Sequence, residues 1–242
     1  MRRGKIWLIA TMGIIIAVAN CGCRRKPASS RTKPKTIREA IGNGDKTAVE
    51  ELIDQRGRIN GRDRFGLTAL HWAAWYGETD IAKLLLSRGA DIHVKCKEGD
   101  MTALHYAAAY GQKEVAELLI TKGANVNAKN VYGVTPLAST AMGRGESRAV
   151  AELLIANGAD INAKHRNGST PLHDAVLNGQ PSMVSFLLSA GANANAKDNN
   201  GQTPLDRAII LSETRFRQGS AFAKRKKAFE ECVRILREHE AK

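Results

Sequence analysis

Ten residues beginning at Thr68, TALHWAAWYG, return almost unchanged at Thr102 as TALHYAAAYG. The recurrence continues down the chain. Threonines at 68, 102, 135, 170 and 203, spaced by 34, 33, 35 and 33 residues, open the lines TALHWAA, TALHYAA, TPLASTA, TPLHDAV and TPLDRAI. A second motif recurs out of phase with the first: RGADI at Arg88, KGANV at Lys122, NGADI at Asn157 and AGANA at Ala190. Leucine pairs at 84–85, 118–119, 153–154 and 187–188 lie between the two. A period of this length predicts a stack of supersecondary units, each too small to bury its own apolar face.

Each unit can be read physically. Threonine caps a helix and proline suits its first turn. The helix that follows is short and alanine-rich, so a neighbour can pack closely, and Gly77, Gly111 and Gly179 end it. A second helix carries apolar residues at helical spacing, as in Ile81, Leu84 and Leu85, and stops at Gly89, Gly123, Gly158 or Gly191. A polar stretch containing Gly66, Gly133, Gly168 or Gly201 then turns toward the next threonine, and Asn-Gly at 167–168 and 200–201 is a tight-turn signal.

Period, T-P-L-H-x-A line, paired helices and projecting turn together resemble the ankyrin repeat. The resemblance covers residues 62–211 and implies an all-α solenoid of helix–turn–helix units joined by β-hairpin loops. A degenerate copy, IREAIGNGDKTAVEELI at Ile37–Ile53, precedes it, and FEECVRILREH at Phe229–His239 reads as the last second helix, giving about six repeats. The expected organisation is a leader at 1–21, a basic tether at 22–35 and a repeat domain at 36–242. Within that domain, 36–61 is the N-terminal cap, 62–211 the main repeats, 212–227 a basic insert and 228–242 a capping helix. AMGRGESRAV at Ala141–Val150 makes repeat four about two residues longer between its helices than repeat two.

The net charge of +13 suggests a nucleic-acid binder until its distribution is read. Residues 1–35 hold nine Lys/Arg and no Asp/Glu; residues 36–211 hold nineteen of each; residues 212–242 hold nine against five. The body is neutral and offers no excess for a duplex-binding face. The tails leave open a polyanion binder as an alternative.

The start, MRRGKIWLIATMGIIIAVANCGC, joins a basic end to an uncharged, mostly apolar run from Ile6 to Ala19. Fourteen residues rise only about 21 Å as a helix, short of a hydrocarbon core of about 30 Å. The run suits an export signal better than a spanning helix. Ala17-Val18-Ala19 fits cleavage before Asn20, whereas Val18-Ala19-Asn20-Cys21 resembles the lipobox of bacterial lipoproteins, with Cys21 as the lipidated residue. Asn20 departs from the small residue usual before that cysteine. The expected location is the periplasm or cell envelope through a lipid anchor. The alternative is an uncleaved leader in the inner membrane, holding a cytoplasmic scaffold.

No G-x-S-x-G, H-E-x-x-H, C-x-x-C or complete phosphate loop occurs, and GNGDKT at Gly42–Thr47 falls at an inter-helix turn. His71, His105 and His173 occupy one place in different repeats, roughly 8–10 Å or more apart, too far to share a zinc ion whose ligands sit at about 2 Å. The resemblance gives them a structural role in holding the hairpin. Cys96 and Cys232 lie several repeats apart, beyond disulfide reach. No catalytic residue, metal, cofactor, small-molecule substrate or specific nucleic acid is expected. The resemblance implies a monomer with a protein partner. It places Trp72 and Tyr106 in the core, and Trp75, Tyr76 and Tyr110 in the concave groove. Hairpin tips at Arg64, Phe65, Lys97, Glu98, Val131, Tyr132, Arg166 and Asn167, with Asn199 and Asn200 beyond them, complete the expected partner-binding surface.

Overall fold

The periodic threonines begin helices. In the computed structural model, which describes residues 34–143, 147–213 and 220–240, Thr68, Thr102, Thr135 and Thr170 each sit in extended conformation at an N-cap. Twelve helices are described: α1 Ile37–Gly42, α2 Lys46–Arg56, α3 Ala69–Tyr76, α4 Thr79–Ser87, α5 Ala103–Ala109, α6 Lys113–Thr121, α7 Pro136–Met142, α8 Arg148–Ala156, α9 Pro171–Leu177, α10 Pro181–Ser189, α11 Pro204–Glu213 and α12 Ser220–Glu240. They form six antiparallel pairs. The odd-numbered helices pack in succession as an inner layer, and the even-numbered ones form the outer layer.

The two layers have different compositions because they do different work. Ala73, Ala74, Ala107, Ala108, Ala138, Ala141 and Ala175 are fully buried, and their small side chains let the inner helices approach closely. The outer helices supply volume: Ile81 and Leu85, Val115 and Leu119, Val150 and Leu154, Val184 and Leu187 fill the space between layers. Each such leucine stabilises the fold by about 1.5–3 kcal/mol.

The degenerate first pair is better formed than its sequence suggests. Thr36 Oγ1 accepts from Glu39 N–H and Asp45 Oδ1 from Ala48 N–H, so both helices are capped without the Thr-x-Leu-His line. At the far end, the described residues of the expected insert, 212–213 and 220–227, are helical. Ser212 and Glu213 belong to α11, and 220–227 are continuous with the expected capping helix, which buries Phe229, Cys232 and Leu236. Cys96 and Cys232 are both free and buried.

The expected hairpin loops are present as tight turns. Among the described residues there is no strand. Each hairpin is a tight turn closed by a backbone bond: Asp63 N–H to Leu67 O, Cys96 to Met101, Asn130 to Val134, His165 to Ser169 and Asp198 to Gln202. A single closing bond at each turn is not extended into a ladder, so the described loops carry no strand pair. Gly66 takes φ +75, and a Cβ there would lie 2.1 Å from Lys97 Cβ, so both conformation and crowding require glycine. Hydrogen bonds join successive tips: Val131 N–H to Gly99 O (3.1 Å), Arg166 N–H to Tyr132 O (2.9 Å) and Asn199 N–H to Asn167 O (2.9 Å). Below them, Lys95 Nζ donates to Lys129 O, Lys129 Nζ to Lys164 O and Lys164 Nζ to Lys197 O, a lysine ladder along the loop edge.

The extra length of repeat four is confirmed: Gly143 to Ser147 separate α7 from α8, whereas Tyr110 to Gln112 separate α5 from α6. Gly143 begins this longer connection against the preceding repeat, where an added Cβ would fall 2.0 Å from Ala109 O.

Candidate recognition surface

The histidines hold the loops. Thr68 N–H donates to His71 Nδ1 (3.2 Å), and His71 Nε2 donates across the repeat boundary to Met101 O (3.0 Å). His105 makes the same bridge to Val134 O (3.1 Å) and His173 to Gln202 O (3.1 Å). Because Nδ1 accepts an amide proton, the neutral Nε2–H tautomer fits the site. Burial pushes His71 and His105 down to about 4 and lowers His173 as well. Repeat four has Ala138 in the corresponding place and lacks this bridge; repeat six uses Asp206, whose carboxylate accepts from Thr203 N–H at 2.9 Å.

A second column, unnoticed in the sequence, braces the turns, and in three repeats it also ties the turn to its inner helix. Asp63 Oδ1 accepts from Phe65 and Leu67 N–H while Oδ2 accepts from Trp72 Nε1 at 2.9 Å. Asn130 Oδ1 accepts from Tyr132 and Val134 N–H, and Asp198 Oδ1 from Asn200 and Gln202 N–H. Asp198 also pairs with Arg207. In repeat three, the Tyr106 hydroxyl approaches Cys96 Sγ at 3.8 Å. Repeat five breaks the pattern with His165, whose Nε2 faces Asp174 Oδ2 at 3.3 Å inside the protein. The two atoms are misaligned for a hydrogen bond, and Ser169 Oγ nearby in sequence is also buried without a partner among the described residues. Burial pushes His165 down to about 4 and raises Asp174 well above the usual carboxylate range, the latter opposed by the Arg207 charge. Between the outer helices of repeats four and five, the Arg148 guanidinium of α8 reaches over the Phe186 ring of α10 at 5.2 Å.

The aromatic residues form one stack. Trp75 lies 4.7 Å from Tyr110, 5.7 Å from Tyr106 and 5.1 Å from Trp72 between ring centroids, and Trp72 lies 5.9 Å from Tyr76. Arg38 caps Trp72 at 4.3 Å. Trp72 and Tyr106 are buried, as expected. Trp75 is not a groove-surface residue: it is only 6% exposed, wedged between the rings of its own and the next repeat. Tyr76 and Tyr110 remain half-buried at the edge of the stack.

The tips are open to solvent in alternation with this support. Arg64, Lys97, Glu98 and Arg166 are exposed; Phe65, Val131, Tyr132 and Asn167 are half-buried. The Arg64 guanidinium lies 4.6 Å from the Phe65 ring centre. The structure therefore brings the expected residues into one row of tips and one aromatic edge, with Trp75 beneath that edge. Cys21, the expected lipidation residue, lies outside the described residues, as do the leader and nearly all of the tether. Among the described residues no helix is long and apolar enough to cross a membrane.

A stacked array of helix pairs with a rigid row of exposed tips defines a repeat-built protein–protein interaction module. The chain belongs to the ankyrin repeat family: models described as "Ankyrin repeats (3 copies)" match residues 14–96, 37–130 and 89–165, and one described as "Ankyrin repeats (many copies)" matches 154–208. Among curated proteins it is similar to the Equus caballus ankyrin repeat, SAM and basic leucine zipper domain-containing protein 1, at 35% identity over 66 residues. It is also similar to the 2-5A-dependent ribonuclease of Mus musculus, at 40% over 62 residues, and to a palmitoyltransferase of Emericella nidulans, at 28% over 88. These matches cover 27%, 25% and 36% of this chain but only 14%, 8% and 12% of the respective relatives.

Proposed function

We propose that this chain is an exported, lipid-anchored module that holds one protein partner against its hairpin tips and the aromatic edge formed by Tyr76 and Tyr110. The observation that carries the reading is the fixed row of tips. Backbone bonds between tips and histidine bridges between repeats preorganise it, so little conformational entropy is lost on binding. Tyrosine and arginine, both present in this row, are enriched at binding hot spots. The module acts by recognition rather than catalysis. The basic-apolar-cysteine leader supports anchoring at Cys21.

The test is affinity capture with the full-length protein from the membrane fraction of its own cells, followed by mass spectrometry and repeated with Tyr76→Ala/Tyr110→Ala/Tyr132→Ala. A partner retained by the parent and lost from the triple variant supports the reading; equal capture by both refutes the surface. Cys21→Ser should release the protein from membranes. Unchanged fractionation with a mature terminus at Asn20 would favour simple secretion. A polyanion reading draws on α12, where Arg225, Lys226 and Lys227 are exposed. It predicts binding that falls steeply with salt, which the tyrosine edge does not.

A further inference from the structure

The repeat stack has a charged feature at its N-terminal end that the row of tips does not account for. A cleft of about 560 Å³ opens between α1, the loop before α3 and the start of α3. Its walls include Arg38, Arg58, Arg62, Asp63, Leu67 and Trp72. Three guanidinium-bearing residues therefore face one carboxylate. That carboxylate is already engaged, with Oδ1 on the Phe65 and Leu67 amides and Oδ2 on the Trp72 indole. Arg58 and Arg62 are exposed, and among the described residues neither guanidinium has a hydrogen-bond or ion-pair partner. The imbalance is local, since residues 36–211 as a whole carry equal numbers of basic and acidic side chains.

We propose that this cleft binds an acidic segment of the protein partner, with the Arg58 and Arg62 guanidiniums taking its carboxylates. The inference rests on the protein-binding reading and adds to it the chemistry of one end of the interface. A guanidinium presents paired N–H donors that match the two oxygens of a carboxylate, which makes arginine suited to such sites. The cleft is continuous with the tip row through Phe65, whose ring lies 4.6 Å from Arg64 and 5.9 Å from Arg38. A partner lying along the tips thus enters it. A nucleobase fits less well. Trp72 is covered by Arg38 at 4.3 Å, Trp75 at 5.1 Å and Tyr76 at 5.9 Å, and its N–H is spent on Asp63, leaving neither an open stacking platform nor a donor.

The probe is a fluorescein-labelled hexaglutamate peptide, titrated with the full-length protein at 150 mM salt and followed by anisotropy. Arg58→Gln/Arg62→Gln should weaken binding at least tenfold, with the thermal midpoint unchanged because both side chains are exposed. Neutralising Lys224, Arg225, Lys226 and Lys227 together should change it less than twofold. Charge reversal at Arg58 and Arg62 provides a second, stronger variant. The proposal is overturned if hexaglutamate does not bind, if its binding ignores Arg58 and Arg62, if loss follows the α12 substitutions instead, or if an oligothymidylate of equal charge displaces it at lower concentration. The two readings fail separately. A protein that captures a partner while hexaglutamate binding ignores these arginines keeps the module and loses the cleft. A protein that binds hexaglutamate through them but captures no partner retains an acidic-ligand site and loses the tip-row reading.

Discussion

Replacing His165 by asparagine should stabilise the protein. Two neighbouring repeats supply the comparison. Asn130 and Asp198 each accept two amide protons from their own turn, at 2.8–3.0 Å, and hold it shut. His165 accepts neither equivalent proton, and its Nε2 is buried without a partner among the described residues. An asparagine there places Oδ1 on the Asn167 amide and Nδ2 against Asp174 Oδ2. The Ser169 amide already donates to Asn167 Oδ1 at 3.1 Å, so only one new backbone bond is counted. Each new bond contributes about 0.5–1.5 kcal/mol, and removing an orphaned ring nitrogen relieves about 1 kcal/mol or more. Lost ring packing offsets about 1 kcal/mol. The net expectation is about 1–2 kcal/mol, a rise of roughly 2–8 °C in thermal midpoint for a domain of this size. The pH profile adds a second readout. His165 titrates near 4 when folded and near 6.5 when unfolded. Between those values the unfolded chain binds more protons, so stability falls as pH falls. His165→Asn removes that contribution and flattens the slope by up to one proton. Asp174, raised by burial, works in the opposite direction; with either residue at 165 its contribution loses stability as pH rises from about 4 toward its folded value. Urea unfolding at pH 7 and pH 5 reads both effects. Equal or lower stability of the variant at pH 7, with an unchanged slope, would refute the account of this turn.

Trp75→Ala should cost about 3–5 kcal/mol of folding stability in urea titration, because Trp75 is a buried wedge between two repeats; a loss below 1 kcal/mol would return it to the surface. His71 and His105 make the stack acid-labile. Both titrate near 4 when folded, so their stability is complete above about 6.5 and is lost as pH falls toward 4, at about 3 kcal/mol per residue when complete. A urea midpoint that stays constant from pH 7 to pH 4.5 would contradict this. Gly143→Ala should destabilise by more than 1 kcal/mol, since its Cβ would fall 2.0 Å from Ala109 O and force the backbone apart; a thermal midpoint equal to the parent's would show that the joint yields freely.

The repeat was legible because its signals are local and multiply repeated: a capping threonine, an alanine-rich turn of helix and a glycine where φ must be positive. The role of His71 followed from its register in the resemblance, and burial of Trp72 and Tyr106 likewise. Trp75 was not legible. Its neighbours Tyr106 and Tyr110 lie more than thirty residues away, and it is their rings, stacked on it at 5.7 and 4.7 Å, that cover it. The turn staple had a readable signal, the column Asp63, Cys96, Asn130, His165 and Asp198, but the side chains that four of these meet nine or ten residues later, Trp72, Tyr106, Asp174 and Arg207, all differ chemically. The arginine cleft had none: Arg38, Arg58 and Arg62 come from one helix and a loop, and overall charge pointed to the tails instead.

Hydrogen exchange on the free protein and on its complex with the captured partner tests the recognition surface directly. Protection is predicted at the tips around 64–65, 97–98, 131–132 and 166–167 and at the ends of α3 and α5 near Tyr76 and Tyr110. Protection confined to the outer helices α4, α6 and α8, with the tips exchanging as in the free protein, would contradict it.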